Sequence, residues 1–162
     1  MTDFDVSADV SAGDRRLLRQ AIALSRQCPP SDSAFSVGAV LVGPSGQVLA
    51  TGYSRELDPG DHAEEVALRR AGPDLPAGVT LYSSLEPCLR RRSRPRSCCQ
   101  LITAAGIGRV VLAWLEPPLF VPGGGAAWLR DQGVTVTEIP ALAAEARAVN
   151  AHLLPAFPPD TP

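Results

Sequence analysis

Apolar residues recur at helical spacing from Asp14 to about Cys28, with Leu17, Leu18, Ala21, Ile22 and Leu24 behind an Asp suited to capping and Pro29-Pro30 ending the pattern. The run Val37 to Val42 is an unbroken apolar strand. Gly43-Pro44-Ser45-Gly46 has turn chemistry, and Val48 to Tyr53 supplies a second strand, so the pair reads as an antiparallel hairpin. A helix is predicted from His62 to Ala71 and a third strand from Val79 to Ser83, after the Gly72-Pro73 break. Cys98, Leu101, Ile102 and Ala105 form one stripe of a further helix that ends at Gly106. Strands at Arg109 to Ala113 and Val134 to Ile139, and helices at Ala126 to Gln132 and Ala141 to Leu153, complete the order. Strands alternating with helices predict an α/β protein, a sandwich around a partly parallel sheet.

The length of 162 residues suits one domain, expected over residues 14–154 between a polar N-terminal tail (1–13) and a proline-rich C-terminal tail (155–162). An apolar fraction of 45% against 20% charged residues is the balance of a globular chain. The net charge of -2 offers no general attraction to a polyanion, which argues against nucleic acid as a partner. No apolar run is long enough to span a bilayer, and the N-terminal residues do not resemble a leader, so a cytoplasmic location is expected and no membrane partner. Without a sign of secretion, the four cysteines point to metal binding or burial rather than disulfides.

His62-Ala63-Glu64 opens a helix, Pro87-Cys88 follows the third strand, and Cys98 opens the next helix. One imidazole and two thiolates suit tetrahedral zinc with the fourth position left to water. A metal there lowers the pKa of water, and a carboxylate two residues from the His is placed to relay protons. That gives His62, Cys88 and Cys98 as ligands of one zinc ion per chain, and Glu64 as the catalytic acid and base. Cys99 competes for the third ligand position; Cys98 is preferred because it shares the stripe with Leu101 and Ala105, taken as the core side. His-x-Glu followed by Pro-Cys and a further Cys is the general signature of zinc nucleobase deaminases. The spacing departs from it, because Leu89 to Ser97 lie between the two cysteines and a loop must bring them together.

The segments HAEEVAL, LYSSLEPC and CCQLITAAGIGRVV resemble the deaminase domain of the riboflavin-biosynthesis bifunctional enzymes, within the cytidine deaminase superfamily, over about residues 14–154. The resemblance implies a three-layer αβα sandwich with a five-stranded mixed sheet. It also implies zinc as cofactor, a homodimer or higher homo-oligomer, and hydrolytic deamination of an aminopyrimidine. Aligned on Ala104-Ala105-Gly106-Ile107, it places Cys98 on the family ligand. It implies a substrate-contacting Asn-Pro pair where this chain has Ala34-Phe35, and a loop with histidines where this one carries Arg90, Arg91, Arg92, Arg94 and Arg96. No reductase domain follows before Pro162, so deamination by this domain alone is the expectation.

Candidate substrate contacts are Ala34, Phe35, Ser84 and Trp114 near strand ends, and Arg92 and Arg94 in the arginine-rich loop. The two aromatics suit either ring stacking or core packing. The loop suits either a substrate phosphate or solvent. Glu65 is expected to face solvent, Glu86 to brace the cysteine loop, Gly123-Gly124-Gly125 to serve a lid or subunit contact, and Cys28 and His152 to have no special role. A small aminopyrimidine or nucleobase, free or as nucleoside or nucleotide, is the expected substrate. The alternatives are a base within nucleic acid and a non-catalytic zinc module on the same scaffold.

Overall fold

A computed structural model describes residues 10–154; residues 1–9 of the expected polar N-terminal tail and the expected proline-rich tail at 155–162 lie outside the described residues. Helix α1 (Ala12–Ser25) starts earlier than its apolar pattern suggests. Ser11, not an Asp, is the cap: its hydroxyl accepts the Asp14 N–H at 3.0 Å, and the Asp14 carboxylate accepts the Ser11 N–H at 3.0 Å. The strands are β1 (Gly38–Val42), β2 (Val48–Tyr53), β3 (Thr80–Ser83), β4 (Arg109–Leu112) and β5 (Thr135–Glu138). Between and after them come α2 (Ala63–Ala71), α3 (Cys98–Ala104), α4 (Gly125–Asp131) and α5 (Ala143–Val149). The single final helix expected at Ala141 to Leu153 is divided: 3₁₀ turns at Pro140–Leu142 and Ala151–Leu153 flank α5. Among the described residues no helix is long and apolar enough to cross a membrane.

The five strands form one mixed sheet in the order β2-β1-β3-β4-β5, with β1 antiparallel to both neighbours and β3, β4 and β5 parallel. Pairing of Gly38 with Tyr53 and of Ala39 with Gly52 puts the two glycines on opposite faces. A Cβ at Gly38 would run into the Ala21 carbonyl of α1, and one at Gly52 into the backbone of α2. The two helices therefore sit directly on opposite faces of the sheet. Helix α5 joins α1, while α3 and α4 continue from α2, which makes three layers.

The core is aliphatic, with Leu18 and Ile22 of α1, Leu41 of β1, Leu81 of β3, Ile102 of α3 and Leu112 of β4 fully buried. A buried polar tie crosses it: Arg109 donates to both Asp14 oxygens at 2.9 and 3.0 Å, and the Tyr82 hydroxyl donates to Asp14 at 2.6 Å. The parallel strands β3 and β4 end on the same edge, and the loops leaving that edge shape the site, as is general for such sheets.

Candidate metal centre and active site

Three chain segments meet at the carboxyl edge of β3. His62 stands immediately before α2, its N–H held by the Glu65 carboxylate at 3.1 Å. Cys88 lies in the loop after β3, and Cys98 is the first residue of α3, whose Ser97 cap accepts the Gln100 N–H at 3.2 Å. The Cys88 and Cys98 sulfurs each lie 3.5 Å from His62 Nδ1, and the Cys98 N–H donates to the Cys88 sulfur at 3.2 Å. All three potential ligand atoms lie within 4.8 Å of one another. Hydrogen bonding from Cys98, with His62 beside it, drives Cys88 toward thiolate, and the same contact with burial pushes the Cys98 thiol up. A cation bound between the two sulfurs would favour the thiolate form of both. A borderline-soft divalent ion suits this donor set, and zinc is the group it fits.

Cys99 points elsewhere: its sulfur lies 3.4 Å from the Pro87 carbonyl and 3.8 Å from that of Gly125, and burial pushes its thiol up. The stripe that Cys98 shares with Leu101 and Ala105 is not the core side of α3, contrary to expectation. The core side of α3 belongs to Cys99 and Ile102, whereas Leu101 and Ala105 are only partly buried. Cys98 is instead turned toward His62.

Glu64, in the first turn of α2, is buried beside the trio and accepts the Ser83 hydroxyl at 2.9 Å. Burial raises its carboxyl above the usual range, and the Cys88 sulfur adds to the rise. A cavity of about 460 Å³ opens in front, with His62, Glu64 and Cys88 in its lining and Phe35, Leu85 and Phe120 as apolar walls.

The other expected contacts separate. Ala34, Phe35 and Arg92 line the cavity. Trp114 backs it, edge-on to Phe35 with ring centroids 5.5 Å apart. Ser84 is buried and accepts the Gly38 N–H at 3.1 Å, bolting β1 to the end of β3. Arg94 pairs with Asp58 at 3.0 Å and with Asp61 at 3.4 Å. Glu65 corrects the expectation of solvent exposure: it is 9% exposed and pairs with Arg91 at 2.9 Å, because the guanidinium folds inward. Arg91 also donates to the Gly60 carbonyl at 2.7 Å and reaches the Cys98 sulfur at 4.0 Å. The Glu86 carboxylate accepts the Glu116 and Ala126 N–H groups at 3.0 and 2.8 Å, so it ties the loop after β4 to α4.

Several cavity residues stand outside the motifs read in the sequence, Glu116 and Arg55 among them. Glu116 lines the cavity, and burial followed by repulsion from Cys88, Glu86 and Glu64 raises its carboxyl to about 8. Its place just beyond a strand end was the available signal. Arg55, the one non-glycine residue with positive φ (59°) among the described residues, donates to the Pro29 and Phe35 carbonyls and the Ser36 hydroxyl. No local signal marks it.

Residues 11–114 match the family described as the cytidine and deoxycytidylate deaminase zinc-binding region. The chain belongs to this family. Within the cytidine deaminase family it is similar to a Schizosaccharomyces pombe diaminohydroxyphosphoribosylamino-pyrimidine deaminase, 41% identical over 123 residues, which are 74% of this chain and 30% of that protein. Among solved structures it is similar to Acinetobacter baumannii RibD, with a TM-score of 0.76 and 30% identity over 89% of this chain and 40% of that one. It is also similar to Aspergillus oryzae Rib2 deaminase, with a TM-score of 0.72 and 25% identity over 84% of this chain and 89% of that one. The chain spans about a third of the length of the curated relatives it matches. The five-stranded α/β architecture is that of the RibD-type cytidine deaminase fold.

Proposed function

We propose that this domain is a zinc-dependent hydrolytic deaminase that converts an amino group on a pyrimidine or related nucleobase to a carbonyl and releases ammonia. The observation that carries this reading is the convergence of His62, Cys88 and Cys98 beside a buried carboxyl, Glu64, at the base of a partly apolar cavity. His62, Cys88 and Cys98 would hold the zinc. When bound, zinc makes water nucleophilic near neutral pH.

Glu64 takes the proton that water loses as the water oxygen bonds to the ring carbon, and delivers it to the adjacent ring nitrogen. It then carries the remaining proton of the added hydroxyl to the amine as the carbonyl forms and the C–N bond breaks. The overall change consumes one water and releases one ammonia. Burial suits Glu64 to this exchange, since a carboxyl raised above its usual range accepts a proton more readily than an exposed one and can still return it. Phe35 and Phe120 wall the cavity against water and offer apolar faces to a flat ring. Glu116, protonated below about 8, offers a hydrogen bond to ring edge groups.

The names of the relatives favour a phosphoribosylated diaminopyrimidine, and Arg90 and Arg92 at the cavity provide cations for a phosphate. Ala34 offers no side-chain hydrogen bond at this lip, which favours a free base. Ammonia release from a panel of free bases, nucleosides, nucleotides and phosphoribosylated aminopyrimidines separates these. Glu64→Gln is expected to lower kcat at least about a hundredfold with zinc retained; activity at the parental level in that variant would refute the proton assignment.

A further inference from the structure

We infer that Ser83 is the positioning residue that holds the Glu64 carboxyl in its working orientation. This rests on the proton-carrying role proposed for Glu64 above. Among the described residues Ser83 is the one side-chain hydrogen-bond partner of Glu64, with its hydroxyl 2.9 Å from Oε1. The same hydroxyl oxygen lies 2.7 Å from the Leu85 carbonyl. Ser83 is fully buried and Glu64 is 3% exposed, so bulk water does not compete for the contact.

The fold gives this hydroxyl a firm mount. Ser83 pairs with Ala39 on one side and with Leu112 on the other, at the end of the central strand. Ala39 in turn pairs with Gly52, whose face lies against α2, so the register aims Ser83 at the first turn of that helix. Glu64 has three side-chain torsions, and a carboxyl loose in the cavity would spend much of its time away from the reacting atoms. One fixed hydrogen bond removes that freedom, and small errors of placement at a reacting centre are costly.

A hydroxyl suits a partner that gains and loses a proton. It has one proton and two acceptors within reach. Toward the carboxylate it donates; toward the protonated acid it accepts through its lone pair and turns its own proton to Leu85. The contact therefore persists at every stage of proton transfer without placing a second charge in the cavity. A serine with a purely structural task would be satisfied by the Leu85 carbonyl alone.

The test compares Ser83→Ala, Ser83→Thr and Ser83→Val with the parent, because Thr and Val differ there only in the hydroxyl. Expected are a kcat about tenfold lower in Ser83→Ala and Ser83→Val, with KM and zinc content unchanged, and recovery to within about threefold in Ser83→Thr. An activity-independent readout is the infrared band of isotope-labelled glutamate carboxyls, assigned to Glu64 by its loss in Glu64→Gln. That band is expected to shift in Ser83→Ala and Ser83→Val. A parental kcat and an unmoved band in Ser83→Ala, or a valine variant equal to the threonine variant, would overturn the assignment. If Glu64→Gln is inactive while the Ser83 variants match the parent, the Ser83 inference alone fails; if Glu64→Gln is active, the proton-carrying role fails first.

Discussion

Cys98 and Cys99 are neighbours in the chain with opposite surroundings. The Cys98 sulfur is 3.5 Å from His62 Nδ1, while that of Cys99 packs against backbone carbonyls. Cys98→Ser is expected to lose stoichiometric zinc as measured by metal analysis. Cys99→Ala should keep it and lose about 1–2 kcal/mol of stability in denaturant melts. The meeting of His62, Cys88 and Cys98 was legible because His62, Glu64, Pro87 and Cys88 form a joint motif. The choice between adjacent cysteines was not, since both sit in the first turn of α3 and only tertiary contacts decide which way each faces. Glu116 offered only its place just beyond a strand end for a related reason: a lone carboxylate acquires meaning only when other acids surround it. Its carboxyl titrates near 8, so the protonated form that can donate a hydrogen bond is lost as pH rises through that value. KM is therefore expected to rise above about pH 8, and Glu116→Gln should flatten that rise.

At the level of elements, the loop between the cysteines divides its arginines by direction. Arg91 is paired with Glu65 and Arg94 with Asp58 and Asp61, whereas Arg90 and Arg92 line the cavity beside Arg91. A run of like residues without a period holds no information about which members turn in, so the sequence left this loop undivided between phosphate and solvent. Arg91 reaches the sulfur of Cys98, one of the residues proposed to hold zinc, and anchors the carboxylate that fixes the His62 N–H. Arg91→Met is expected to weaken zinc binding about 10- to 100-fold in chelator competition, as loss of partners to metal ligands generally does. Arg92→Ala should raise KM for phosphorylated substrates and leave that for free bases unchanged, which steady-state kinetics on matched pairs would show. The helices and strands were readable where the apolar pattern was long. The final helix was not, because a continuous apolar spacing from Ala141 to Leu153 hides the 3₁₀ turns on either side of α5.

Across the whole molecule, the alternation of strands and helices announced the α/β class, and the short Gly43 to Gly46 turn announced the antiparallel hairpin. The sheet order depends on long-range ties such as the one Asp14 makes between α1, β3 and β4, which no local pattern records. Arg109 first, then the Tyr82 hydroxyl, hold the Asp14 carboxyl below its usual range despite burial. A carboxyl lowered in the folded state stabilises fully above the unfolded value. That contribution is lost as pH falls below about 4 toward the folded value, because the unfolded chain then takes up the proton first. Urea melts should show this acid decline, and Asp14→Asn should be less stable at neutral pH and show a shallower one. A second long-range tie concerns the cavity lip: the Asn150 carboxamide accepts the Ser36 N–H at 2.7 Å and donates to the Ser36 carbonyl at 3.1 Å, and His152 lies 2.8 Å from the Ser31 carbonyl. The doorway beside Phe35 is thus latched by residues translated more than a hundred positions later. On the ribosome every residue proposed to hold metal or move protons would emerge before the latch that shapes the opening, so a nascent chain could load its ion ahead of gaining a finished entrance.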